Sequence, residues 1–304
     1  MGIVDAHHHL WDLEHNPYPW HEQATTAEAR GRETYLIDTY LADAVPHGVD
    51  RSVHVEGNFD PTNPAGETAW LQKIADEHGF PHAIVGYVPL HAPNAEAILE
   101  AHLAHRNFRG VRQILNWDPD PMLSQCDRPD YLDDPAWRRG FNLLARHSLS
   151  FDLQAHPWQL PTAAQIARRC PEVQIVVDHL GMPVHRGEAG QDSWRQGVEA
   201  LAACDNVTMK LSGFGMFDPC WDAVRIAPHV AFLLDRFGCD RCMWGSNFPV
   251  DRRWKTFSGV VEDVTTALGG LAAGERASVL SGTATRVYRL PSIPPAQGTE
   301  PPHE

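Results

Sequence analysis

Short apolar runs rich in Val, Ile, Leu and Phe recur along the chain, starting near Ile3, Arg51, Ala83, Arg109, Ser150, Gln174, Val207 and Cys242. Runs of this length, bounded by turn residues, read as buried strands. Segments with helical spacing of apolar positions lie between them, over 36–45, 67–78, 94–106, 133–147, 161–170, 192–204 and 226–237, and two more follow the last run, over 258–268 and 274–280. Asn94 is placed to cap one helix start, and Gly79 and Gly238 to end two others in a left-handed turn. Strand–helix alternation repeated eight times predicts parallel strands with crossover helices, and eight is the number that closes an α/β (β/α)8 TIM barrel. One domain over residues 1–290 accommodates it. An open doubly wound sheet is the alternative, but no glycine-rich phosphate loop follows the first strand. Residues 116–134 carry several Pro and Asp and no period, which predicts a long loop over the strand ends. The Pro-rich, polar stretch 291–304 is expected to be a disordered tail.

Composition narrows the class. The chain has 304 residues, 43% hydrophobic and 21% charged, enough for a large core without staples. A net charge of −14 is the wrong sign for a nucleic-acid binder. No stretch of about 20 apolar residues is present, so no membrane span is expected. The six cysteines are scattered and no secretory leader pattern is visible, which together predict a reducing, cytoplasmic setting. The expected partner is a small-molecule substrate, with no nucleic acid and no membrane. A homo-oligomer stays open.

Ionisable residues gather where the strands end. The first strand closes on His7, His8 and His9, the second on His54, Glu56 and Asn58, and the fourth passes through Arg112. The fifth carries Asp152, Gln154 and His156, the sixth ends on Asp178 and His179, the seventh carries Lys210 and Ser212, and the eighth ends on Ser246 and Asn247. In a barrel these ends form the reactive face. His7 and His9 are two apart on a strand and share a face, so their imidazoles can supply two nitrogen donors to a metal. His179 or His156 could supply a third. Alternation puts Asp178 on the opposite face from His179, as an orienting carboxylate or a structural ion-pair partner. Arg112 and Lys210 are suited to hold a carbonyl or carboxylate. Glu56 could act as a base or simply pair with an arginine, and Lys210 could belong to a buried ion pair. Trp11, Trp20, Trp117 and Trp158 fall on loops of the same face, as pocket walls or as loop packing.

Five motifs in register extend this picture: Asp5-x-His7-x-His9-Leu10, Gly110-Val111-Arg112, Asp178-His179-Leu180-Gly181, Lys210-Leu211-Ser212-Gly213 and Trp244-Gly245-Ser246-Asn247-Phe248-Pro249-Val250. With the ending Gly282 to Leu290, they resemble the amidohydrolase superfamily over residues 2–290. The fit is best to its amidohydrolase 2 branch of TIM-barrel, lactonase-like metal-dependent hydrolases. The resemblance implies opening of a lactone, a sugar-acid or dicarboxylate-type cyclic ester, by water. It assigns His7, His9 and His179 to one divalent ion, zinc foremost, and it equally permits metal-free operation. The only lysines are Lys73, Lys210 and Lys255, none on the fourth strand, so the carboxylated lysine of binuclear members has no counterpart. Asn247 stands where the family usually has Asp, and an amide is neutral and not a base. The catalytic set is then His179, His156 and Asn247, with Glu56 as a further candidate base. The substrate-binding set is Arg112, Lys210, Glu56, Trp117 and Trp158. Two other readings stay open: metal-dependent non-oxidative decarboxylation of an aromatic or unsaturated acid, and a binding protein impaired by Asn247.

Overall fold

The computed structural model describes residues 2–22 and 33–291. Eight strands occur among them: β1 (Ile3–His8), β2 (Val49–Val55), β3 (Ala83–Tyr87), β4 (Phe108–Ile114), β5 (Ser150–Gln154), β6 (Ile175–Val177), β7 (Val207–Leu211) and β8 (Cys242–Trp244). They form one sheet in sequence order, and the seven neighbouring pairs are parallel. The segment after β8 closes the barrel onto β1. Asn247 donates its N–H to the His7 carbonyl at 2.8 Å, and His9 donates to Phe248 at 2.7 Å. The predicted (β/α)8 barrel is the observed fold.

Each crossover passes through a helix, and the helix at Pro135–Arg146 shows why such segments form. Asp134 accepts the Ala136 N–H at 2.7 Å, which caps the first turn, and Pro135 follows it where no N–H is needed. Trp137, Phe141 and Leu144 then fall on one buried face. Trp137 and Phe141 pack on Phe151 of β5 with ring centroids 5.5 and 5.3 Å apart. Truncating Trp137 to Ala would cost about 3–5 kcal/mol. Gly79 ends the helix Pro64–His78 at φ 75°, donating to Ala75 at 3.0 Å, as the sequence predicts.

Some local expectations change. Asn94 makes no side-chain cap to the helix Ala95–Leu103. The helix expected over 274–280 is split, with Ala273–Ala277 running into a wider turn at Ser278–Gly282. Of the expected tail, all but Pro291 lies outside the described residues. No described helix is long and apolar enough to cross a membrane.

The core has two parts. The larger joins the outer faces of the strands to the helices. The smaller joins alternate strand residues, among them Val53, Val55, Ala83, Val85, Val176 and Met243, to Tyr288 and Leu290 of the C-terminal segment. Alternate residues share a strand face. This second cluster therefore fills one end of the barrel, and the polar residues collect at the other.

Candidate active site

β1 is irregular between Asp5 and His8, and this shapes the site. Asp5 is fully buried. Its carboxylate accepts from the Ser246 N–H at 2.8 Å, the Ser246 hydroxyl at 2.6 Å and the Tyr40 hydroxyl at 3.1 Å. Asp5 thus ties β1 to the segment after β8, and burial pushes its carboxyl up to about 6. His7 and His9 follow with rings 5.1 Å apart.

His7 is the centre of a buried charged cluster. Its Nδ1 lies 3.3 Å from Asp178 Oδ1 and 3.3 Å from Lys210 Nζ. Lys210 also reaches Asp178 Oδ1 at 3.1 Å and Asp152 Oδ2 at 2.5 Å, and Asp152 accepts from the Tyr288 hydroxyl at 2.7 Å. Burial alone would raise the Asp178 carboxyl, but Lys210 and His7 hold it well below the usual carboxylate range. Burial, then Lys210, holds the His7 imidazole well below its ordinary value, and burial brings His179 down to about 4. Two neutral imidazoles therefore face one ionised carboxylate.

Ligand atoms of His7, Asp178 and His179 lie within 4.8 Å of one another. His7 Nε2 is buried without a hydrogen-bond partner among the described residues. A nitrogen, nitrogen and carboxylate donor set with an orphaned imidazole nitrogen fits one divalent ion such as zinc. The resemblance implies His7, His9 and His179 as ligands, whereas the convergent group seen here is His7, Asp178 and His179. His9 falls outside the convergent group, and its Nδ1 is held by the Val55 carbonyl at 2.7 Å. Strand alternation separates Asp178 from His179, but β6 ends at Val177 and His179 has φ 53°, so alternation no longer applies. His179 Nδ1 meets the Ser212 hydroxyl at 3.0 Å.

Arg112 and Glu56 form the adjoining wall, both buried. The Arg112 Nε donates to Glu56 Oε1 at 2.7 Å, Nη1 donates to Gln154 Oε1 at 3.3 Å, and Nη2 donates to the Glu56 carbonyl. The other Glu56 oxygen accepts from Asn58 N–H at 2.7 Å. Behind them Glu67 accepts the Gly57 N–H at 2.9 Å, and burial, with Glu56 near it, pushes its carboxyl up to about 8.

Asn247 adopts φ 56° and turns the chain after β8. Its Nδ2 donates to Asp251 Oδ1 at 3.0 Å, and its Oδ1 is buried without a partner among the described residues. The sequence reading missed Asp251, whose one signal is its place four residues past Asn247.

A cavity of about 920 Å³ opens over these groups. His9, Glu56, Arg112, His179 and Asn247 line it, with Trp11 and Trp20 among its aromatic walls. His7 and Lys210 are buried and are not among its lining residues. His156, Trp117 and Trp158 lie outside it. His156 Nε2 meets the Leu123 carbonyl at 2.9 Å, and Trp158, 43% exposed, packs edge-on against Trp117. Trp254 and Tyr131 line the cavity instead.

The family model described as amidohydrolase matches residues 4–290. The uncharacterized protein y4mH of Sinorhizobium fredii is 40% identical over 95% of this chain and 99% of its own length. An L-fucono-1,5-lactonase of Burkholderia ambifaria is 31% identical, covering 94% of this chain and 95% of that protein. A crystal structure of an amidohydrolase from Burkholderia multivorans with bound zinc superposes with a TM-score of 0.81 at 27% identity, over 96% of this chain and 100% of the other.

Proposed function

The chain belongs to the amidohydrolase family, and from that premise we propose that it hydrolyses the ring ester of an uncharged, hydroxyl-rich sugar-acid lactone. The similarity to an L-fucono-1,5-lactonase supports a lactone. The state of Arg112 carries the choice of an uncharged one. Its guanidinium is already taken up by Glu56 and Gln154, so no free fork is offered to a substrate carboxylate. Among the described residues the charged lining groups balance, with Glu56 and Asp127 against Arg112 and Arg253. A dicarboxylate would enter without compensating charge. A sugar ring instead meets aromatic faces and hydrogen-bonding side chains.

In this reading His7, Asp178 and His179 would hold one divalent ion, whose contribution when bound is Lewis-acid polarisation of the ester carbonyl. Water adds to the carbonyl carbon and the bond to the ring oxygen breaks. With the ion bound, Nε2 of His179 would be one of its ligands while the Nδ1–H points to Ser212, so the proton lost by the water passes to solvent and the departing ring oxygen takes one from solvent. The product is the open hydroxy acid, and its carboxyl proton passes to solvent. Arg112 stays with Glu56 and fixes the wall against which the ring lies.

A pH-indicator assay over 1,4- and 1,5-sugar lactones, beside a pyrone dicarboxylate, tests this. Turnover of the uncharged lactones with none of the dicarboxylate is the expected result. The reverse preference overturns the substrate class. Carbon dioxide release from an aromatic acid, without lactone opening, would point to decarboxylation. Ligand-induced stabilisation without any turnover would point to a binding protein.

A further inference from the structure

We propose that Asp251 is a positioning residue that holds the Asn247 carboxamide with its oxygen toward the cavity, where that oxygen orients the attacking water. The inference rests on the hydrolytic reading above. A carboxylate can only accept, so an ionised Asp251 must face the NH2 edge of Asn247. The contact is 3.0 Å from Nδ2 to Oδ1, inside a turn that Asp251 itself closes by donating its N–H to the Asn247 carbonyl at 3.0 Å. Fixing the NH2 edge fixes the other edge. The Asn247 Oδ1 is thereby left buried and unpartnered in a residue that lines the cavity beside His179. A buried acceptor without a donor is costly, and a water or substrate hydroxyl placed there removes the cost. Asn247 takes no proton in this scheme; it supplies only a lone pair that aligns the water.

Asp251 can also release the amide. It is fully buried, and burial pushes its carboxyl up to about 7, with backbone N–H groups of Gly215 and Phe214 acting against that. Among the described residues no cation pairs with it. Arg252 lies over Tyr35, Arg253 over Trp254, and Lys255 is paired with Asp263. The packed segment Phe214–Phe217 carries no ionisable side chain, and the titratable residues of β1 and just past its end are Asp5, His7, His8 and His9. A protonated Asp251 becomes a donor. The Asn247 carboxamide is then free to turn over, offering NH2 to the cavity and losing the acceptor.

Three variants test this on the lactone that the wild-type chain opens: D251N, N247D and the exchanged pair N247D/D251N. D251N is expected to lower kcat about 10–100-fold, the range for lost orienting partners, with KM within about 3-fold. It should also abolish an acid limb of kcat near pH 7. The exchanged pair puts a carboxylate against the water and an amide behind it, and is expected to regain at least about 10-fold over D251N. A folded D251N with wild-type kcat and pH profile overturns the proposal. A wild-type chain that opens no lactone defeats the functional reading separately. Side-chain NMR then decides for Asp251: the Asn247 Nδ2 shift should titrate near pH 7 in the wild type, and a flat shift overturns the assignment. The same titration decides if D251N does not fold.

Discussion

The Lys210 ammonium lies 3.1 Å from Asp178 Oδ1, and neither side chain reaches solvent. The same ammonium holds Asp152, so one lysine serves two buried carboxylates. Arg112, with Nη1 4.0 Å from Asp178 Oδ2, supplies the remaining positive charge. Removing one partner of such a pair leaves an uncompensated buried charge and costs about 3–5 kcal/mol. Lys210→Met is expected to lose that much stability in urea unfolding, and adding Asp152→Asn should restore part of it. A Lys210→Met protein within about 1 kcal/mol of wild type would show that the cluster does not depend on this lysine.

Stability should peak close to neutral pH. His8 is brought down to about 3 and His82 and His102 to about 4, each mainly by burial, and the imidazoles of His7, His9, His54, His156, His179 and His229 are lowered too. A lowered imidazole contributes stability above its unfolded value of about 6.5 and loses it as pH falls. Carboxyls raised by burial act oppositely: Asp5 at about 6, Asp251 at about 7 and Glu67 at about 8, with Asp152 also raised, lose stability as pH rises through those values. The imidazoles are more numerous, so melting temperature should climb from pH 5 to about 7. It should level or fall toward pH 8 as Asp251 and Glu67 ionise. A scan peaking below pH 6 would contradict these assignments.

The barrel was legible because it repeats. All eight strands begin within two residues of the expected starts, since apolar period and turn residues agree eight times over. The site was legible only while the chain stayed extended. His7, Arg112 and Lys210 sit on strands, where the period places them. Asp178 and His179 straddle the end of β6, where a left-handed residue cancels alternation, so the period does not fix the face of either. Asp251 is brought back to Asn247 by a turn, and no period encodes that approach. Trp158 shows a third limit. Being on a loop of the reactive face does not put a side chain into the cavity, because loop direction depends on packing absent from any single segment.

Glu56 should govern charge preference. Glu56→Gln removes the partner of Arg112 and leaves the cavity with one surplus cation. A charged hydrogen bond contributes about 1.5–3 kcal/mol, so a carboxylate-bearing lactone or its ring-opened acid should bind about 10-fold tighter or more. Calorimetry with an anionic and an uncharged ligand of similar size checks this. Equal changes for both would show that Arg112 stays unavailable without its partner.

Metal uptake should track His7 and Asp178. The three-donor set predicts at most one zinc ion per chain at this cluster, read by elemental analysis after dialysis against the metal. His7→Ala should abolish that uptake, and Asp178→Asn should weaken it about 10–100-fold. His9→Ala should change it much less, because His9 lies outside the convergent atoms. Loss of zinc in His9→Ala equal to that in His7→Ala would restore the ligand set expected from the sequence.

Gly213 is a sensitive point beside His179. It adopts φ 66°, and a Cβ there would lie 2.4 Å from Nδ1 of His179, well inside contact distance. That nitrogen is the one held by Ser212 at 3.0 Å. Gly213→Ala therefore combines a strained backbone with displacement of the imidazole. The strain alone costs about 1–3 kcal/mol. The displaced ring loses its Ser212 partner and moves its Nε2 away from the cavity floor, so activity should fall about 100-fold, as a shift near 1 Å in a reacting group does. Ser212→Ala isolates the second effect, removing the hydrogen bond without the clash, and should cost less in both stability and rate. Ser212→Ala matching Gly213→Ala in rate would show that orientation by the hydroxyl, rather than the space kept by the glycine, is what His179 requires.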